Sequence, residues 1–202
     1  MAAVGGALVS RSLVDEAEAF LAGTTDKQQF LDSIGLYAML TVIQVVSWVA
    51  AAAVVMTWMY RIASNHRALH RGGTWGPAWA IGGWFLPPML YVIPLLMLRE
   101  LWKAADPGTP VGSEWRGNRA SLITVVWFLI YSVIPLAIMF SPGSATFSGL
   151  GNQERAMAEG IVENGGLTLF AALVGIAGAV VFAVMARQLT ARHQQLTGEL
   201  LR

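Results

Sequence analysis

An all-α membrane bundle is predicted for this 202-residue chain by three observations. Only 12% of the residues are charged while 55% are hydrophobic, about half the charge of a typical soluble domain. Ile34 to Tyr60 runs for 27 residues without a charge, more than the ~20 needed to cross a ~30 Å hydrocarbon core. Further apolar segments follow at about 77–102, 122–140 and 166–186. The expected fold is therefore an integral membrane helical bundle with four hydrophobic segments. Three are spans, and the fourth is a proline-broken segment that either crosses or re-enters. Residues 1–33 form an extramembrane amphipathic segment, and residues 34–202 form the helical membrane domain.

Composition also removes function classes. The formal net charge is +1, so no global basic field exists to attract nucleic acid. With no cysteine in the chain, disulfides, thiolate metal sites and a lipoprotein-type acylation point are excluded. Met1 to Leu8 is too short an apolar run for a cleavable signal and lacks preceding basic residues. Targeting is expected to come from the first membrane helix.

Within the first segment, Leu13, Val14, Ala17, Phe20 and Leu21 share one helical face, and Asp15, Glu16 and Glu18 take the other. Gly23 is expected to stop that helix, and Thr25 with Gln28 has the spacing of a capping box for the next. The acidic character argues against a lipid-surface helix, which is usually rich in Lys and Arg. It is expected to pack on its own bundle or rest at the surface rather than bind a partner.

In the first span, Ala50 to Ala53 offer a narrow surface for a neighbouring helix. Gln44 and Ser47 lie near mid-span, where an interhelical hydrogen bond is expected because a lone amide in hydrocarbon is costly. Arg61, Arg67 and Arg71 mark the following connection as cytoplasmic. His66 and His70 are four apart and would share a helical face. No third ligand of matching type is near, and the adjacent arginines would repel a cation, so no metal site and no cofactor is expected.

The stretch from Trp75 to Asp106 organises the rest. Trp75, Trp79, Trp84 and Trp102 are interface anchors by type. Pro87 and Pro88 remove two backbone donors and bar a continuous helix, and the chain is expected to resume as helix after Pro94 and end at Arg99, Glu100 and Lys103. Ala78 and Gly82 form a small-xxx-small pair before the break. The loop 106–120 is rich in Pro and Gly turns. Leu122 to Phe140 is the next span, with Pro135 near its far end. Ser141 to Gly165 reads as a polar loop. The last span carries Ala171, Gly175 and Ala179 on one face, and residues 187–202 continue as a protruding helix end.

Trp58, Arg61, Asn65 and Leu69 are followed by Trp79-Ala-Ile-Gly-Gly-Trp84-Phe85-Leu-Pro87. Pro94 and Glu100-Leu-Trp102-Lys-Ala-Ala-Asp106-Pro107 come next. Together these residues resemble the core pattern of domain-of-unknown-function family 4328, whose members are bacterial polytopic membrane proteins. The resemblance implies a multi-pass protein of the bacterial plasma membrane and supplies no reaction. It departs at Leu90, where the family commonly has Asn. The acidic N-terminal segment stands where members often have another hydrophobic helix.

The 13 Lys and Arg residues weigh the two topologies. If 77–102 spans, nine share a side against four, and Arg61, Arg67 and Arg71 fall on the wrong one. If it re-enters, the count is ten against three with the C-terminus cytoplasmic. The prolines and two cytoplasmic flanking loops favour re-entry.

Two functions are expected to compete, and neither is enzymatic. The spans hold no Asp, Glu, His, Lys or Arg, and no nucleophile–base or metal motif occurs. The first is a non-catalytic accessory or scaffold subunit, partnered by the bilayer and by another membrane protein or copies of itself. The second is a passage or sensing protein for a small solute or lipid. It would use Pro87, Pro88, Tyr91 and Gln44 at a cavity, with Arg61, Asn65, Arg99 and Glu100 at its mouth. Arg99 and Glu100 also suit a structural charge pair at a helix end. The absence of intramembrane charge favours the subunit.

Overall fold

The computed structural model describes residues 2–85, 89–110, 114–133 and 153–198, and every regular element among them is helical. In chain order these are α1 (Ala2–Leu21), α2 (Lys27–Ala68), α3 (Trp79–Gly82), α4 (Met89–Ala104), a 3₁₀ turn (Trp115–Gly117), α5 (Leu122–Phe128) and α6 (Gln153–Thr197). A π-helical turn, Leu129–Val133, extends α5. The chain divides into two units, one from Met1–Val49 and Val133–Ala177, the other from Ala50–Ser132 and Gly178–Arg202.

The first unit is built on the amphipathic face of α1. Leu13 and Ala17 are buried, and Phe20 and Leu21 pack against Phe30 and Ala158. The rings of Phe20 and Phe30 stack 4.5 Å apart. Gly23 takes a left-handed φ of +74° and ends α1, as glycine does without penalty. The cap of α2 is Asp26, whose Oδ1 accepts the Gln29 N–H at 2.8 Å. The expected Thr25–Gln28 box is displaced by one residue, because a carboxylate at N-cap satisfies the third helical N–H directly. Lys27 and Glu154 form an ion pair at 2.6 Å.

The largest departure from the sequence reading is at 153–165. The expected polar loop is helix from Gln153 onward. Ala158, Ile161 and Val162 recur at i, i+3 and i+4 and bury one face, while Arg155 and Glu159 pair across a turn at 3.2 Å. Gly160, Gly165 and Gly166 obscured that pattern. Gly165 has a packing reason, since a Cβ there would lie 2.7 Å from Val14 Cγ2.

The second unit has a larger core. Met59, Ile62 and Ala63 of α2 meet Ala80, then Met97, Leu98, Leu101 and Trp102 of α4, Trp127 of α5, and Met185 and Leu189 of α6. Trp127 stacks on Tyr131 at 4.8 Å and contacts Phe182 at 5.5 Å. α4 resumes at Met89 and carries the buried Pro94 inside it, so the helix restarts earlier than expected. α3 ends at Gly82 and residues 83–85 form a turn, while Leu86, Pro87 and Pro88 lie outside the described residues. Gly83 approaches α4 so closely that a Cβ would sit 3.1 Å from Ile93 Cβ and 2.8 Å from the Trp79 carbonyl.

Among the described residues two helices, α2 and α6, are long and apolar enough to cross a membrane. Their most apolar windows are 0% and 6% buried, unlike the core helix of a soluble protein. Segment 77–102 is split into α3 and α4, and α4 with 16 residues is only about 24 Å long. The described part of the 122–140 segment ends at Val133, so Pro135 and the far end of that segment are outside it.

Candidate functional site

The polar residues of the second unit converge where α2 ends. The last turn of α2 closes with Arg71 N–H donating to the His66 carbonyl at 2.8 Å and His70 N–H to that of Arg67 at 3.1 Å. This pair of bonds is a Schellman motif. The corner residue is usually glycine, but here it is His70, at φ +58°. The expected face shared by His66 and His70 is therefore broken, because the helix stops between them.

The turn sends Arg71 inward. Its side chain is among the largest fully buried ones in the chain, 2% exposed. Nη1 donates to the carbonyls of Ala104 and Asp106, both at 2.9 Å, and Nη2 donates to that of Thr109. Ala104 is the last residue of α4, so the guanidinium sits at a helix C-terminus, where the aligned carbonyls favour a cation. The Asp106 side chain accepts from Gly108 N–H at 3.3 Å and pairs with Arg192 at 3.3 Å. Arg192 in turn lies 5.1 Å over the Trp102 ring. Asn118 donates to the Lys103 carbonyl at 3.1 Å and to Thr109 Oγ1 at 2.8 Å.

Beside Arg71 lies a pair of buried imidazoles. Asn65 Nδ2 is 3.1 Å from His193 Nε2, and His193 Nδ1 is 3.2 Å from His66 Nε2. If Asn65 donates, neutral His193 carries its proton on Nδ1 and passes a hydrogen bond to His66 Nε2. The proton of neutral His66 then sits on Nδ1, which is buried without a protein partner. His66 also lines a cavity of about 10 Å³ with Arg71, Trp75 and Glu100, close to the size that holds one water. Burial foremost, then His193 and Arg71, pushes the His66 pKa from 6.5 down to about 3. The lone pair of His193 is taken by Asn65 and that of His66 by His193, and a guanidinium stands next to the two rings. This arrangement ties the ends of α2 and α6 together.

The sequence-predicted residues meet different fates. Asn65 and Glu100 are engaged by the chain: Glu100 accepts the Trp75 N–H at 3.3 Å. The expected Arg99–Glu100 pair does not form, because Glu100 turns to that amide while Arg99 is exposed. Arg61 is exposed as well. Trp102 is a core residue rather than an interface anchor, and Trp84 packs edge-on to Tyr131 at 6.0 Å. Trp79 is 37% exposed. Ser47 bonds back to the Ile43 carbonyl at 2.8 Å instead of reaching another helix. Pro87 and Pro88 lie outside the described residues, as does the side chain of Tyr91. Sequence reasoning missed Arg71, Asp106, Arg192 and His193 as a group, since nothing in their spacing relates residues more than 80 positions apart.

Two outcomes follow from this geometry. Arg71→Met leaves three carbonyls unpaired and lowers stability by about 3 kcal/mol or more, and Arg71→Lys does not restore it because one ammonium cannot copy the planar fork; thermal melting in detergent reads both. His66 is neutral in the folded chain while the unfolded chain takes up its proton near the ordinary pKa. Its contribution is thus complete above about pH 6.5 and lost as pH falls toward about 3. Between about pH 7.5 and about pH 5 the wild type loses about 2 kcal/mol through this residue, and His66→Gln flattens the dependence.

No curated protein and no solved structure matches the chain. The pattern of one family, "Domain of unknown function (DUF4328)", matches residues 23–191. That match takes in the capped start of α2, the Arg71 and Asp106 turns and most of α6, and the chain belongs to this family.

Proposed function

We propose that the chain is a multi-pass bacterial plasma-membrane protein that serves as a non-catalytic subunit of a larger membrane assembly. The observation that carries this reading is the contrast between its polar and apolar groups. Arg71, Glu100, Asp106 and Asn118 are bonded to the chain's own backbone. By contrast, Leu169, Phe170, Leu173, Val180 and Val184 of α6 are exposed, and so are the small residues Ala171, Gly175 and Ala179. Large apolar surface of that extent needs a covering, and small residues let a second helix come close within lipid.

The Arg71 contacts also support a re-entrant middle. A chain that leaves at Gly72 and is held by Arg71 again at Ala104, Asp106 and Thr109 returns to the level where it started. A full crossing would put those groups about 30 Å apart. Both loops and the Arg192–His193 end of α6 then share one face, which the positive-inside rule makes cytoplasmic.

The natural chain has no cysteine, so single cysteines report cleanly. Introduced at Gly72 and at Gly108, they react with a membrane-impermeant maleimide from the same side of oriented vesicles; labelling from opposite sides excludes the hairpin. For the subunit role, native mass spectrometry in gentle detergent gives a defined assembly heavier than one chain, and Gly175→Leu weakens it at least about tenfold by blocking close approach. A chain that emerges alone, and whose vesicles pass a defined solute, overturns the subunit reading in favour of passage.

A further inference from the structure

The turn that seats Arg71 also leaves an open groove of about 440 Å³ on the outer side of α2. One wall is formed by Tyr60, Ser64, Arg67 and Ala68, and the other by Pro77 and Ala78. Tyr60, Ser64 and Arg67 stand at i, i+4 and i+7, one face of the helix. The opposite face, Met59, Ile62, Ala63 and His66, is buried in the core. The groove wall is therefore surplus to packing. It presents two hydroxyls and a guanidinium that forms no ion pair among the described residues. The nearby acid, Glu100, accepts from the Trp75 N–H instead.

Depth matters as much as charge. Tyr60 closes the uncharged run of α2, and its ring is 43% exposed. At about 1.5 Å per residue, Ser64 lies about 6 Å and Arg67 about 10 Å beyond it along the axis. The headgroup layer adds about 5–8 Å on each side of the hydrocarbon. Ser64 thus falls at phosphate depth, and Arg67, whose side chain tilts back toward the helix N-terminus, reaches into the same layer, while Pro77 and Ala78 give an apolar wall. Exposed Trp79 follows directly, a residue type that favours this layer.

We propose that this groove is a binding site for the headgroup of an anionic phospholipid, with Arg67 and Ser64 holding the phosphodiester and Tyr60 beside the glycerol. Arg is suited to the task because its planar fork meets phosphate oxygens two at a time. The site rests on the membrane reading above and adds a specific ligand class to it.

The test uses the full chain reconstituted in phosphatidylcholine vesicles doped with phosphatidylglycerol, then extracted gently and assayed for retained lipid by mass spectrometry. The wild type retains phosphatidylglycerol over phosphatidylcholine. Arg67→Gln with Ser64→Ala loses about tenfold of that preference, Arg67→Lys keeps part of it, and Arg99→Gln, an exposed cation outside the groove, keeps all of it. Should the double variant misfold by its melting curve, Ser64→Ala alone decides. Equal losses in Arg99→Gln and the double variant mean diffuse surface charge and overturn the site. Displacement by an equal concentration of inorganic phosphate makes it a soluble-anion site and overturns it too. A chain that does not enter pure phosphatidylcholine vesicles defeats the membrane reading itself.

Discussion

One buried cation organises the second unit. Arg71 is held by backbone carbonyls alone, at Ala104, Asp106 and Thr109. Burying a guanidinium is expensive unless its donors are satisfied. The turn from 104 to 109 has to be shaped around it, and so does the left-handed corner at His70 that aims it. The Asp106 side chain, freed from Arg71 by the use of its carbonyl, is available to Arg192. In this way one side chain links the end of α2, the end of α4 and the end of α6. Arg192 over Trp102 then joins that link to the apolar core beneath.

The histidine pair depends on the same arrangement. His66 lies one turn before Arg71 on a helix that stops at Ala68, so the ring and the guanidinium are brought together by the corner itself. A positive charge beside it, added to burial, keeps His66 neutral. Neutral rings can bond to each other, whereas two imidazolium rings would repel. The seam between α2 and α6 in this unit also includes Trp58 Nε1 donating to Thr190 at 3.1 Å.

The helical class and the two long apolar segments were legible in the sequence because their signals are local: absence of charge over a long run, and amphipathic period in α1. The stop of α3 at Gly82, with a turn at 83–85, agrees with a break ahead of α4, while the prolines behind that expectation lie outside the described residues. What failed was of two kinds. Gly160, Gly165 and Gly166 disguised a helix; Gly165 packs against Val14 while Gly160 and Gly166 face open space, and propensity was overridden by tertiary contact. Arg71 read only as one of three positive charges, because its carbonyl partners are more than 30 residues away and carbonyls leave no mark in a sequence. Trp102 misled for a related reason, since tryptophan suits an interface and a core equally until its neighbours are known.

Ile34–Tyr60 and Gly166–Ala186 contain no Asp, Glu, His, Lys or Arg, and this has an electrical consequence in the proposed bilayer setting. A transmembrane potential does work only on charge that moves through it, about 2.3 kcal/mol per elementary charge per 100 mV. Sliding or tilting these helices would carry no gating charge. The protein would be blind to voltage, and its cations would sense only the surface on which they gather.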